Sequence, residues 1–358
     1  MKFIDEFRDK EIANALIRKI RETSTRPIQL MEVCGTHTVS IFRYGIRGVL
    51  PEHIRLLSGP GCPVCVTPNP DIDLAIALTR QKDVILVTFG DMMRVPGSTS
   101  SLQKEKAQGG DIRIVYSSLD ALTIAKDNPG KRIVFLAIGF ETTSPTVAVA
   151  ILHAGKENLR NLFFLNSQKR VPPALQVLLR SKQIHIDGLI LPGHVSAILG
   201  TKPYQFIAEE FARPGVVTGF EPLDILQGIW MLVKQIEENH PRIEIQYRRV
   251  VREEGNPLAL SKIYEVFEED HALWRGFGMI PGSGYRFRER FKERDARTFD
   301  VEVEPPAEHP GCLCGEVLQG IRSPLDCPLF KVVCHPENPI GPCMVSMEGT
   351  CATYFKFS

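Results

Sequence analysis

The chain has 358 residues, more than one ordinary hydrophobic core organises, so two or three domains are expected. Its 43 Lys+Arg and 42 Asp+Glu cancel to a net +1, which gives no basic field for nucleic acid and no acidic block typical of disorder. With 43% hydrophobic residues there is ample material for burial.

The N-terminal stretch "MKFIDEFRDKEIANALIRKIRETSTR" mixes acids with bases and places apolar residues at helical spacing, unlike a signal peptide. No apolar run approaches the roughly 18 to 20 residues that span a bilayer. The chain is therefore read as cytoplasmic, with neither a membrane nor a nucleic acid as partner.

From about 27 to 240, short β-branched runs alternate with helical periodicity, the pattern of a parallel sheet with crossover helices. Strands are predicted at "IQLMEV" (28–33), "IRLLS" (54–58), "DVILVTF" (83–89), "DIRIVYS" (111–117), "RIVFLAI" (132–138), "LFFLN" (162–166), "GLILP" (188–192) and "GVVTGF" (215–220). The same alternation would suit an eight-stranded barrel. "GDMMRVPGSTSSLQKEKAQGG" argues against one, because it reads as a long loop where a helix is due. "AKDNPGKR" (125–132) is a polar connection with about four strands on either side, and it divides the region into α/β domains at 25–125 and 126–245. A helix follows at 256–268. "LWRGFGMIPGSGYRFRERF" reads as loop, and the Pro-, Gly- and Cys-rich tail from 305 has too little apolar pattern for a core of its own.

In parallel sheets the loops leaving the carboxyl ends of strands form the binding crevice. Here those loops are "CGTHT" (34–38), "GPGCPVC" (59–65), "GDMMRVPG" (90–97), "GFETTSP" (139–145), "PGHVS" (192–196) and "GFEPLD" (219–224). Cys34, Thr36, His37, Thr38, Glu141 and His194 would thus gather at one sheet edge. Asn69-Pro70 with Asp71 and Asp73 reads as a helix cap and first turn, as does Ser144-Pro145, and Cys65 is close enough to the first of these for its thiol pKa to be lowered. Cys62-Pro-Val-Cys65 suits a reducible disulfide or two metal ligands.

Cytosolic chains rarely keep structural disulfides, so nine cysteines point to thiol or metal chemistry. Three precede position 70, and six follow 310: Cys312, Cys314, Cys327, Cys334, Cys343 and Cys351. The tail lacks the two Cys-x-x-Cys pairs of a zinc ribbon. Six thiols among loops match an iron–sulfur cluster better, with four ligands and two left over. Cys312, Cys327, Cys334 and Cys351 are the favoured ligands, with Cys314 and Cys343 as the remaining pair; a competing set exchanges Cys314 for Cys312.

Taken together, "CGTHT", "GPGCPVC", "GFETTSP", "PGHVSAILG", "GFEPLDIL" and "CGEVLQGIRSPLDCPLF…CMVSMEGTCA" resemble the HypD family of hydrogenase maturation proteins from about residue 28 onward. The resemblance implies two Rossmann-like parallel-sheet α/β units plus a loop-rich domain, assigned to 1–24 with 246–358, that carries a [4Fe-4S] cluster. It implies assembly of the Fe(CN)2CO group of [NiFe]-hydrogenase, with iron shared with HypC and cyanide supplied by HypE. On that likeness Cys34 would hold the iron cargo, with Thr36 and Gly61 beside it. Cys62 and Cys65 would be a redox dithiol, and His37, Glu141, Thr142, Thr143, His194, Cys314 and Cys343 would complete the reacting set. The competing expectation is an iron–sulfur-dependent thiol-disulfide reductase acting on a protein, which leaves "CGTHT" and "GFETT" without a task.

Overall fold

The computed structural model describes residues 5–358. It is α/β, with two parallel sheets and one antiparallel hairpin. The strands in chain order are β1 Ile28–Glu32, β2 Ile54–Ser58, β3 Val84–Thr88, β4 Ile112–Ile114, β5 Arg132–Ala137, β6 Leu162–Asn166, β7 Gly188–Pro192, β8 Gly215–Thr218, β9 Ile243–Ile245, β10 Phe267–Trp274 and β11 Gly278–Phe287. The first sheet has the order β2-β1-β7-β8-β9, the second β4-β3-β5-β6, and β10 pairs with β11.

The alternation of side chains across each strand explains why two sheets share one body. Met31, Val33, Leu189 and Leu191 of the first sheet and Leu86, Leu136 and Leu165 of the second belong to one continuous core between them. Their neighbours point the other way. Ile28, Leu30, Ile190 and Val216 pack with Ile20, Ile225 and Ile229 from the helices Lys10–Thr23 and Pro222–Glu237. Ile85, Val87, Phe135 and Phe164 pack under the helix Ser144–Lys156. Both faces of the inner strands are covered, so β3 and β7 read as unbroken apolar runs, while the edge strands β2, β4 and β9 carry exposed or half-buried charged residues.

The sheets do not divide at 125–126. That position falls inside the second sheet, because β5 pairs with β3, Val84 opposite Arg132. The chain leaves the first sheet after β2, completes the second as β3 to β6, and returns as β7 to β9. A polar connection with equal strand counts on each side says nothing about pairing; the crossover does. The described part of 1–24 belongs with the first sheet rather than with the tail, since Ile20 is buried against it.

Three further readings are corrected. The segment after β3 contains a short helix, Leu102–Ala107, capped by Ser101, whose hydroxyl accepts the Lys104 N–H. The segment read as loop around 273–291 is largely the hairpin β10–β11, whose half-exposed, charge-bearing strand "FEEDHALW" lacks the apolar signal. The tail has a small core after all, Phe330, Cys334 and Met344. Among the described residues no helix is long and apolar enough to cross a membrane.

Candidate functional site

In the first sheet the strand order reverses between β1 and β7, so the loops leaving their carboxyl ends diverge and open a crevice. Cys34 stands at one lip, as the cap of the helix Gly35–Arg43. His194 stands at the other, in the first turn of the helix Gly193–Leu199. Cys34 is 8% exposed. Burial, with the Glu348 carboxylate second, pushes its thiol up to about 12, against the opposing N–H groups of Thr36 and His37. Such a thiol is unreactive until something takes its proton, and a bound metal cation does so most directly.

Gly61 brings the β2 loop against Cys34, and Gly35 N–H donates to the Gly61 carbonyl at 3.1 Å. The next residue, Cys62, caps the short helix Pro63–Val66, and its sulfur accepts the Cys65 N–H at 3.3 Å. Cys65 thus lies inside this short turn and not at the start of a longer helix. Cys65 is fully buried, and burial holds its thiol well above the usual value. The helix Asn69–Thr79 is capped by Pro68 rather than Asn69, whose amide instead meets Arg275 and the Ala307 carbonyl. Thr143, not Ser144, caps the helix that follows β5.

From Cys65 the sulfurs continue into the tail. Cys65 Sγ lies 3.9 Å from the Pro342 carbonyl oxygen, and Cys343 Sγ lies 2.7 Å from Cys314 Sγ, with both cysteines buried. All six tail cysteines line one small apolar pocket. Cys312 reaches it beside Gly341, where a side chain would collide with the Cys312 sulfur at 2.7 Å. Among the described residues no three Cys, His, Asp or Glu side chains are grouped to hold a single metal ion. Thiols distributed around a pocket suit a polynuclear cluster, whose ligands stand apart on separate irons.

The polar residues divide between the two sheet edges. His37 Nε2–H donates to the carbonyls of Thr218, at 3.1 Å, and Gly219, at 3.0 Å, while Nδ1 has no partner among the described residues. Burial lowers its pKa to about 4, so His37 is neutral at pH 7 with its Nε2–H committed to the carbonyls at the end of β8. It braces β8. Phe220 is stacked between its ring, at 4.6 Å, and that of His194, at 4.1 Å. His194 is itself exposed at the mouth.

Glu141, Thr142 and Thr143 lie at the carboxyl edge of the second sheet, after β5. Thr143 packs on Gly139, where an added Cβ would be 2.5 Å away. One Glu141 oxygen accepts the Val171 N–H at 3.0 Å, and the other is buried without a partner. Burial raises its pKa from 4.5 to about 7. Between those values the folded state binds more protons than the unfolded chain, so stability falls as pH rises through 7. Glu141→Gln keeps an acceptor for Val171 and removes the titration. Its stability advantage over wild type in urea melts is expected to grow by about 2 to 3 kcal/mol between pH 5 and 8. Parallel pH profiles for the two proteins would contradict the assignment.

Two residues escaped the sequence reading. Glu32, inside the apolar run of β1, is fully buried, accepts the Thr38 hydroxyl at 2.8 Å and is pushed by burial to about 8. An acid in a buried strand was the available signal. Glu348 accepts the Thr36 hydroxyl at 2.6 Å, across 312 residues of chain, and no local pattern marks such a pair.

The family model HypD, described as "Hydrogenase formation hypA family", matches residues 11–358. The chain is 48% identical to hydrogenase maturation factor HypD2 of Bradyrhizobium diazoefficiens, covering all of this chain and 97% of that protein. It is 44% identical to hydrogenase maturation factor HypD of Escherichia coli, over all of this chain and 98% of the relative. It is also 43% identical to a putative hydrogenase expression/formation protein of Methanocaldococcus jannaschii, over 98% of each.

Proposed function

The chain belongs to the HypD family of hydrogenase maturation factors, and from that premise we propose that it builds and carries the Fe(CN)2CO group, sharing the iron with HypC and taking cyanide from HypE. The observation that carries this reading is the run of sulfur from the Cys34 crevice through Cys62, Cys65 and Cys343 to Cys314.

Cys34 holds the iron cargo. Thiolate is a soft donor suited to iron bearing cyanide and carbon monoxide, and binding displaces the proton that burial otherwise keeps on sulfur. A cysteine of the partner completes a transferable site. Cyanide arrives as a thiocyanate on HypE, and releasing it breaks the S–CN bond: RSCN + 2e⁻ + H⁺ gives RSH and CN⁻. Cys62 and Cys65 supply both electrons on closing to a disulfide, which frees two protons. One proton restores the donor's thiol. The other leaves the crevice, and neutral His194 at the mouth is placed to take it. The Cys314 and Cys343 thiols reopen the Cys62–Cys65 disulfide by exchange, becoming a disulfide themselves.

Cys312, Cys327, Cys334 and Cys351 would hold a [4Fe-4S] cluster, which supplies electrons one at a time. The dithiols convert that supply into pairs. The neighbouring Cys314 is better used as the partner of Cys343, 2.7 Å away, than as a ligand.

Infrared spectroscopy of the protein purified anaerobically with HypC tests the proposal. Cyanide and CO stretching bands are expected in wild type and lost in Cys34→Ala, with cluster absorbance unchanged. Reduction of a protein disulfide without any such bands would favour the reductase reading instead.

A further inference from the structure

The core shared by the two sheets contains polar groups that the chemistry above does not use. Tyr204 is fully buried in that core, yet its hydroxyl has no hydrogen-bond partner among the described residues. It faces the Ser196 hydroxyl, which is equally buried and unpartnered, and it lies within electrostatic reach of Glu141 and of Cys34. Ser196 belongs to the helix Gly193–Leu199, whose first turn carries His194 at the crevice lip. Toward the second sheet, the Glu141 oxygen that does not accept from Val171 is the third buried atom without a partner. Native interiors rarely leave such atoms unserved, and ordered water serves those that protein does not. Three in succession, from one sheet edge to the other, form a chain that water completes.

The surroundings of Glu141 suit a group that takes a proton and gives it back. Facing it are Arg170 from the loop after β6, Glu269 from β10, Tyr285 from β11, Tyr264 from the helix Pro257–Val266 and Tyr204 from the turn Lys202–Tyr204. Arg170, the cation among them, is paired with Glu269 at 2.5 Å, so it does not hold Glu141 ionised. Burial outweighs it and brings the carboxyl to about 7. Burial also holds the Tyr204 phenol far above its usual value. At pH 7 that hydroxyl keeps a proton, and it relays one by accepting at oxygen as it donates its own.

We propose that Ser196 and Tyr204, joined by ordered water, carry protons between the Cys34 crevice and Glu141, which stores one while the crevice mouth is occupied. This relay rests on the cyanide chemistry proposed above. Closing the Cys62–Cys65 disulfide frees two electrons and two protons. Breaking the S–CN bond to thiol and cyanide consumes both electrons and one proton, and the second proton is left over. His194 takes it at an open mouth. With the cyanide donor seated there, the Glu141 carboxylate receives it through Ser196 and Tyr204, and returns it by the same chain when the mouth clears. No further reactant is involved.

The test needs neither iron nor cyanide, so the relay and the maturation chemistry can fail separately. Full-length, cluster-loaded protein is held reduced and buffered slightly below neutral pH, then mixed rapidly with D2O buffer. The carboxylic C=O stretch of Glu141, identified as the infrared band missing from Glu141→Gln, is followed as deuterium replaces its proton. Tyr204→Phe and Ser196→Ala are each expected to keep the band and to slow this exchange about tenfold, the equivalent of one hydrogen bond lost from the path. Glu269→Gln, on the hairpin side of Glu141, should exchange at the wild-type rate. A Tyr204 that merely filled space would leave exchange unchanged on losing its hydroxyl. A wild-type rate in either Tyr204→Phe or Ser196→Ala overturns the proposal, as does slowing in Glu269→Gln alone or the absence of any Glu141 carboxylic band below neutral pH.

Discussion

Gly61→Ala is expected to destabilise the protein by about 3 to 4 kcal/mol and to remove the iron-carrier bands, although it adds a single methyl group. An added Cβ would lie 2.4 Å from the Cys34 nitrogen, 2.5 Å from its Cα and 2.7 Å from the Val33 carbonyl carbon. Every one of these atoms is backbone, so no side chain can rotate away. Relief requires separating the β1 and β2 loops, which breaks the Gly35-to-Gly61 hydrogen bond and shifts the Cys34 sulfur from its crevice. Against a typical stability of about 5 to 15 kcal/mol, that is a large fraction. Urea melts would show a lowered midpoint, and infrared spectra a loss of cyanide bands in whatever remains folded. Gly48→Ala is the control, since nothing lies within 4 Å of its added Cβ, and it should stay within about 0.5 kcal/mol of wild type. If Gly61→Ala melted like Gly48→Ala, the close approach of the two loops would not be what positions Cys34.

The contrast between those glycines bears on how far the sequence could be read. "GPGCPVC" announced a loop of chemical interest, but nothing local says that Gly61 rather than Gly59 carries the Cys34 contact, because the contact is made with another loop. The strands Ile54–Ser58, Leu162–Asn166 and Gly188–Pro192 were legible to the residue, including the edge strand Ile54–Ser58, whose Arg55 is exposed. Their order was not. β7 pairs with β1 across more than a hundred residues, and no periodicity encodes that. The same limit governs the site. Cys34, Cys62, Cys65 and His194 could be picked out as loop residues. That His37 is neutral and braces β8 depends on burial and on the carbonyls of Thr218 and Gly219, which no local pattern reveals. The tail offered six cysteines in one cluster of sequence, yet the 2.7 Å approach of Cys314 to Cys343 comes from the fold of the pocket.

That approach carries the second large expected effect. On the proposed function the cargo would carry two cyanides, each released with two electrons, so the Cys62–Cys65 pair would have to be reduced again between the first and the second. Cys314→Ser leaves Cys343 able to attack the Cys62–Cys65 disulfide but without the neighbouring thiol to resolve the mixed disulfide. The first cyanide should transfer normally from prereduced protein, and the second should stall, giving about one cyanide per iron where wild type reaches two. Infrared spectra with 13C-labelled thiocyanate donor, under a one-electron reductant that reduces the cluster but not free disulfides, would read the count directly. The stalled protein should also contain a Cys65–Cys343 link, visible by mass spectrometry of peptides prepared without reducing agent. Serine is nearly isosteric with cysteine, so folding and cluster absorbance are expected to survive. A Cys314→Ser protein that completed the two-cyanide iron at the wild-type rate would show that electrons reach Cys62 and Cys65 by another route, and the sulfur run would then be packing rather than a path.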